Sequence, residues 1–357
     1  MKKSIVIGAG IAGIATSIRL AKKGYAVEVY ESNAYAGGKL SAFSSEGFRF
    51  DAGPSLFTMP QYVDALFELC DEDPRAHFTY HKKEIGCEYF WPDGTRLTAY
   101  SDQNRFLQEV EEKLNVAPTV VKKYLARAKE KFDLTAELFL ENSLHRWETF
   151  LTKNTIKALA RLPLFELNKS LAKVNTAQLK EPHLVQFYNR FATYNGSSPF
   201  QTPGIMTLVQ HLESEYGTFI PEGGMEQISQ SLFQLAKRQG VKFYFNQKVT
   251  EILHTKNEVT AVMVNKQKLL ADVIVSNMDI FPTYRYLLPK AKAPEKILAQ
   301  ERSSSAVIFY WGIQKQFPAL DLHNIFFSED YQAEFNAIFN EHTLYDDPTI
   351  YVNITAK

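Results

Sequence analysis

Cysteine is nearly missing: Cys70 and Cys87 are the only two among 357 residues. They form no CxxC and no paired framework, which excludes a disulfide-stapled fold and fits a reducing compartment. Both read as small, buried apolar side chains. Net charge is missing as well. Forty Lys and Arg balance forty Asp and Glu, so no global field recruits nucleic acid or another polyanion. No apolar run approaches the ~18 residues of a membrane-crossing helix; Ala306 to Ile313 is among the longest. The eight histidines are scattered without HExxH or other ligand spacing, so no metal site is expected, and no Ser/His/Asp arrangement stands out. Internal repeats and low-complexity tracts are absent too. Lys2 and Lys3 before an apolar run give the N-terminus the superficial form of a signal peptide. Arg19, Lys22 and Lys23 interrupt that run, and cleavage would remove Gly8, Gly10 and Gly13. A cytoplasmic protein is therefore expected.

The informative residues stand at the beginning. An apolar strand, Ile5 to Ile7, leads to Gly8, Gly10 and Gly13; a helix-length stretch from Ile14 to Lys23 stops at Gly24; a second strand, AVEVY, leads to Glu31. That order is the start of a dinucleotide-binding domain. Gly8 permits the tight strand-to-helix turn, Gly10 leaves the backbone bare toward a pyrophosphate, and Gly13 lets the helix lie close on the sheet. The helix N-terminus offers unpaired N–H groups and a partial positive charge to phosphates. Glu31 follows Gly10 by roughly 20 residues, where a carboxylate accepts hydrogen bonds from ribose hydroxyls.

Further along, the glycine- and serine-rich stretch SNAYAGGKLSAFSSEGFRFDAGPSLF supplies bare backbone at Gly37 and Gly38 and a cation for a diphosphate at Lys39. Gly53 and Pro54 make another turn, where backbone can approach a flat ring. Hairpin strands are expected at Cys87 to Pro92 and Thr95 to Tyr100 around the Asp93–Gly94 turn, and a helical pattern from Gln103 to about Lys180. A second nucleotide-domain fragment begins near Glu215. Pro221 to Met225 open a helix through about Arg238, and VKFYF, KVTEILH, VTAVMV and ADVIVSN read as strands. The nucleotide domain is thus discontinuous, expected over 1–76 and 218–286. The second domain takes 77–217 and 287–357, with a Ser-rich turn at Ser303 to Ser305 and the strands AVIFYWGI and TIYVNIT. Between Leu144 and Val174 six basic residues face only Glu148 and Glu166, among the apolar Leu144, Trp147, Phe150, Leu151, Leu159 and Leu162. Such a stretch lies in the interface of an anionic bilayer, or is an ordinary surface helix with a solvated charged face.

GxGxxG alone does not choose between nicotinamide and flavin. The series GAGIAG, ES followed by GGK at Gly37 to Lys39, IPEGGMEQI and the KV of QKVTEI resembles the flavin-containing amine oxidase and carotenoid desaturase superfamily. FDAGPS at Phe50 to Ser55, RFATYNGSSPFQTP at Arg190 to Pro203 and VSNMD at Val275 to Asp279 resemble its bacterial phytoene-desaturase type. KLSAF and FDAGPSLFTMPQYV are most similar to desaturases acting beside the hydroxylated end of an acyclic or half-cyclised carotenoid.

The resemblance implies a mixed α/β fold: a Rossmann-like FAD-binding domain of the amine oxidase and GDI type, interleaved with a mixed-sheet and helical substrate domain. It implies FAD as cofactor, a long apolar isoprenoid substrate, hydride transfer from that chain to the flavin in carotenoid biosynthesis, and peripheral membrane association. The cofactor set it implies takes in Gly8, Gly10, Ile11, Ala12, Gly13, Glu31, Ser32, Gly37, Gly38, Lys39, Leu40, Gly53, Pro54, Val249 and Asn277. Val249 matches the position whose backbone holds the adenine edge. Lys39 stands where many relatives have Arg, keeping the charge without the bidentate fork. Arg190 and Tyr194 are the candidates for positioning the reacting end of the substrate, or else for tying their loop to the sheet. Relatives are expected to continue past the position equivalent to Lys357 into a glycine-rich segment that touches the flavin. Two other readings share the fold: a different FAD-dependent amine-oxidase-type enzyme, and a GDI-like prenyl-binding protein without redox chemistry.

Overall fold

Alternation along the first strands decides which face of the sheet meets which layer. In a computed structural model that describes residues 1–255 and 258–357, Val6, Val27 and Val29 point to one side, where they pack with Ile14, Ile18, Ile228, Leu232 and Leu235. Ile5, Ile7 and Tyr30 point to the other, against Val249, Ile252, Val262 and Val264. The sheet between them is parallel, in the order Val273–Ser276, Lys3–Ile7, Ala26–Tyr30, Lys242–Tyr244. Helices Ile11–Lys22 and Glu226–Arg238 cover the first face. An antiparallel sheet of Val249–Thr255, Glu258–Val264 and Gln267–Leu270 covers the second.

These elements belong to one compact unit, Met1–His81 with Phe219–Glu301; Lys82–Thr218 with Arg302–Lys357 make the other. The first unit runs on to Glu301, beyond the expected 286. Leu287 is buried with Val249 and Ile252, and Lys290 pairs with Glu251 at 3.1 Å, so this stretch is held to the antiparallel sheet.

The second unit is built on a mixed sheet ordered Ile350–Asn353, His323–Phe326, Ile85–Phe90, Arg96–Tyr100. Its core is aromatic: Tyr89, Trp91, Phe106, Phe187, Tyr188, Phe191 and Phe327 are all buried together. Two expectations fail here. AVIFYWGI is not a strand; residues 301–314 carry no regular structure, and Val307, Phe309 and Trp311 are exposed. β-prone side chains do not make a strand without a backbone partner, and no strand among the described residues pairs with this segment. The helical run from Gln103 to Lys180 is likewise broken, into Gln103–Leu114, Pro118–Ala136, Glu137–Glu141, Trp147–Leu151, Lys153–Ala160, Leu162–Phe165 and Leu171–Leu179. Thr152 and Ser170 each cap a new helix start by accepting an N–H, and Pro163 stands in Leu162–Phe165.

Candidate functional site

The helix Ile11–Lys22 starts at Gly10 with no capping side chain and no acidic residue in its first turn. The N–H groups of Ile11, Ala12 and Gly13 therefore keep their positive field undiluted. The Gly37–Leu40 loop lies against this turn: the Gly37 N–H donates to the Ala9 carbonyl at 2.8 Å, Gly10 and Gly37 form a backbone bridge, and Ser229 Oγ donates to the Leu40 carbonyl at 2.7 Å. Most of the glycines here are required by the protein's own packing. A methyl group at Gly13 would overlap the Gly8 carbonyl oxygen and come within 2.9 Å of Asn277 Nδ2; one at Gly37 would overlap the Leu40 carbonyl, and one at Gly53 the Lys39 carbonyl. Gly10 is different. A methyl group there meets only the terminal amide of Asn277, at 2.9 Å, so the fold itself gives little reason for glycine, and a closely approaching ligand gives a strong one.

Glu31 is buried at the end of the second strand. Its Oε2 accepts from the Ala9 N–H at 2.7 Å, while Oε1 accepts from the Asn33 N–H at 2.8 Å and Ser32 Oγ at 3.1 Å. A carboxylate offers about four acceptor sites, so three are engaged in shaping the turn and about one is left for a ribose hydroxyl. Glu31 also ties in the antiparallel sheet, because its carbonyl accepts from the Gln247 N–H at 2.8 Å, two residues before Val249 opens its strand. Lys39 is exposed, as are Gly53 and Pro54. Asn277 places its side chain against Gly8, Gly10 and Gly13, with its N–H on the Ile7 carbonyl at 2.9 Å.

Two supports escaped the sequence reading. Asp51 Oδ2 accepts from the Met225 N–H at 3.0 Å and Oδ1 from the Glu226 N–H at 3.4 Å, so the hairpin carrying Gly53 is fastened to the N-terminus of Glu226–Arg238. Ser229, on the same helix, fixes the Gly37–Leu40 loop. Asp51 lies inside the FDAGPS motif, which was its only signal; Ser229 had none.

In the second unit Arg190 and Tyr194 meet on one carboxylate. Arg190 Nη2 lies 2.9 and 3.1 Å from the two oxygens of Glu213, and the Tyr194 hydroxyl donates to the same group. Burial disfavours the guanidinium charge, yet Glu213 holds the Arg190 pKa well above its ordinary value. Burial, reinforced by Glu213, keeps Tyr194 protonated far above the usual phenol range. Neither lines the cavity nearby; Glu213 does, with Phe106, Phe187 and Phe191. His323 is buried too, and desolvation lowers its pKa to about 4.

Among the described residues no helix is long and apolar enough to cross a membrane, and no group of His, Cys, Asp or Glu is placed to hold a metal ion. The Leu144–Val174 stretch exposes Trp147, Leu151, Ile156 and Leu159.

The flavin containing amine oxidoreductase model matches residues 11–311. The chain belongs to that family. A flavin is therefore the nucleotide to which the glycine turns must be compared, and the mixed α/β fold expected from sequence is that of the family. Over its full 357 residues the chain is 52% identical to a 1-hydroxycarotenoid 3,4-desaturase of Flavobacterium sp. strain P99-3, covering 73% of that protein. It is 31% identical to a 4,4'-diaponeurosporene oxygenase of Staphylococcus aureus, covering all of this chain and 72% of the relative. Among solved structures, cyclohexylamine oxidase from Brevibacterium oxydans IH-35A shares the fold at a TM-score of 0.53 and 19% identity, over 82% of this chain; the chain spans 61% of its length.

Proposed function

We propose that this family member is an FAD-dependent desaturase of a carotenoid, acting next to a hydroxylated end of the molecule. The observation that carries the reading is 52% identity along the whole chain to a protein named for that reaction. Bare backbone at Gly10, where packing explains the missing side chain so poorly, supports a dinucleotide in the opening turn. Ile11, Ala12 and Gly13 present N–H groups to its diphosphate, Gly37 and Gly38 flank it, and Lys39 adds a cation. Glu31, with Ser32 beside it, takes the adenosine ribose, and the backbone at Val249 takes the adenine edge. Asn277 stands over the diphosphate turn at Gly8, Gly10 and Gly13, and Gly53, Pro54 and Leu40 bound the flavin half.

Desaturation removes a hydride from one carbon and a proton from its neighbour, leaving a carbon–carbon double bond. When bound, oxidised FAD would supply the acceptor for the hydride, to be regenerated by an external electron acceptor; the proton would pass to a carboxylate or to water. The protein's share is to hold a long alkene in one orientation and to keep water away. The exposed apolar side chains between Leu144 and Val174, set among Arg146, Lys153, Lys157, Arg161 and Lys169, support delivery of the substrate from an anionic bilayer surface on which the protein rests.

The test is anaerobic. The chain is loaded with FAD and mixed with hydroxylated or unhydroxylated carotenoids in vesicles, and the flavin and polyene bands are followed together. Bleaching of the flavin with a red shift of the polyene is the expected result. Failure to bind FAD, or bleaching by amines and by no carotenoid, would overturn the reading.

A further inference from the structure

Forty charges of each sign cancel over the whole chain, yet unpaired groups of opposite sign collect on different units. In the first unit the parallel sheet ends at Lys242–Tyr244, whose outer edge has no strand beside it among the described residues. Phe243 and Phe245 pack there with Phe233 of helix Glu226–Arg238, at ring-centroid distances of 4.7 to 6.2 Å. All three rings are only partly buried, and they floor an open groove rimmed by Lys237 and Lys242. Arg238 next to them pairs with Glu72 at 2.6 Å; Lys237 and Lys242 pair with no carboxylate among the described residues. Lysine alone on a sheet edge serves to keep strands from adding. A row of half-covered phenylalanines along the same edge does not serve that end.

The second unit carries the opposite charge. Glu329, Asp330, Asp346 and Asp347 gather round Tyr345, whose phenol is pushed up by burial and then by these carboxylates. No cation pairs with any of the four among the described residues. Leu344 beside them is 77% exposed, and the sheet of this unit ends in turn at Ile350–Asn353, where Ile350 is 54% exposed. The two surfaces match in three respects: a sheet edge for a sheet edge, apolar side chains for exposed rings, carboxylates for free lysines. An anionic bilayer would account for the lysines and rings but would repel the carboxylates. We propose that the groove along Lys242–Tyr244 is a docking surface for a second copy of this chain, which brings its Leu344–Ile350 segment to the phenylalanines and its acidic group to Lys237 and Lys242. Because the two surfaces differ, the contact is head-to-tail, and each copy keeps one of each free until a ring closes. Neither nucleotide nor substrate takes part.

The full chain is sedimented to equilibrium in about 0.05 and about 0.5 M salt, between which the screening length shortens roughly threefold. Association is expected at low salt and should weaken at least about tenfold at high salt. Lys237→Glu with Lys242→Glu should leave a monomer, and so should Glu329→Lys with Asp346→Lys. Asp330 and Asp347 are spared because they accept the N–H groups of Ala333 and Glu329. Mixed in equal amounts, the two charge-reversed proteins should associate again to within about threefold of the wild type, since each then meets its opposite. Trp147→Ala with Leu151→Ala, on the other exposed apolar surface, should associate as the wild type does. A wild type that stays monomeric at ~200 µM in low salt, a charge-reversed variant that still associates alone, a mixture that does not recover, or association lost with Trp147 and Leu151 would overturn the proposal.

Discussion

Replacing Gly10 by alanine separates what the fold needs from what a nucleotide needs. The added methyl would stand 2.9 Å from Asn277 Nδ2, about 0.5 Å inside ordinary contact, and the end of that side chain can swing by as much. Backbone angles at Gly10, φ −68° and ψ 170°, are open to alanine, and a compatible Gly→Ala change gains ~0.4–1 kcal/mol by restricting the unfolded chain. The cofactor-free protein should therefore melt within about 3 °C of the wild type. FAD should suffer far more, because the methyl occupies the space in which the diphosphate approaches the backbone. A loss of ~3 kcal/mol corresponds to about 100-fold in Kd. Gly13→Ala is the contrasting variant. Its methyl overlaps a carbonyl oxygen of the same turn, so overpacking of ~1–3 kcal/mol should lower the melting temperature and FAD affinity together. Thermal melts without cofactor and fluorescence titration with FAD measure both quantities. If Gly10→Ala binds FAD within about threefold of the wild type, the opening turn is not where the diphosphate sits.

Acid should destabilise the second unit through His323, whose pKa of about 4 lies below its ordinary 6.5. A depressed histidine leaves stability intact above the unfolded value and loses it as the unfolded state takes up a proton. The loss begins near 6.5 and reaches ~1 kcal/mol at pH 5.5. Denaturant titrations at pH 7.5 and 5.5 should show that increment in the wild type and not in His323→Asn; identical pH dependence of the two proteins would count against it. At the membrane, replacing both Trp147 and Leu151, 69% and 65% exposed, by alanine should reduce partitioning onto anionic vesicles by about tenfold or more, with stability unchanged. Wild-type protein that fails to sediment with such vesicles, or a double variant that sediments equally well, would remove the bilayer from the reading.

The parallel sheet was legible because three local signals agree there: alternation in KSIVI and AVEVY, glycines at the turn, and helix stops at Gly24 and Gly240. The fastenings of the candidate site were not, because they join residues remote in the chain. Asp51 caps a helix start 174 residues later, and Ser229 reaches back 189 residues to Leu40. Arg190 and Tyr194 stand out as charged and hydroxylated residues in a motif, but nothing in the motif names Glu213 as the carboxylate on which both converge. AVIFYWGI misled for the opposite reason. Its composition is that of a strand, whereas pairing depends on a neighbour that composition does not reveal.

The discontinuous order of the first unit also governs how it is made on the ribosome. Strand Ala26–Tyr30 finds its outer neighbour only in Lys242–Tyr244, and Lys3–Ile7 only in Val273–Ser276. At ~5–20 residues per second of translation, the nascent βαβ element waits roughly 10–40 s with both sheet edges unpaired while the intervening polypeptide emerges. Bare edges of that kind invite intermolecular pairing. Yield of this protein in a foreign host should therefore respond to chaperone supply and slower, cooler growth more than to any change in the nucleotide turn.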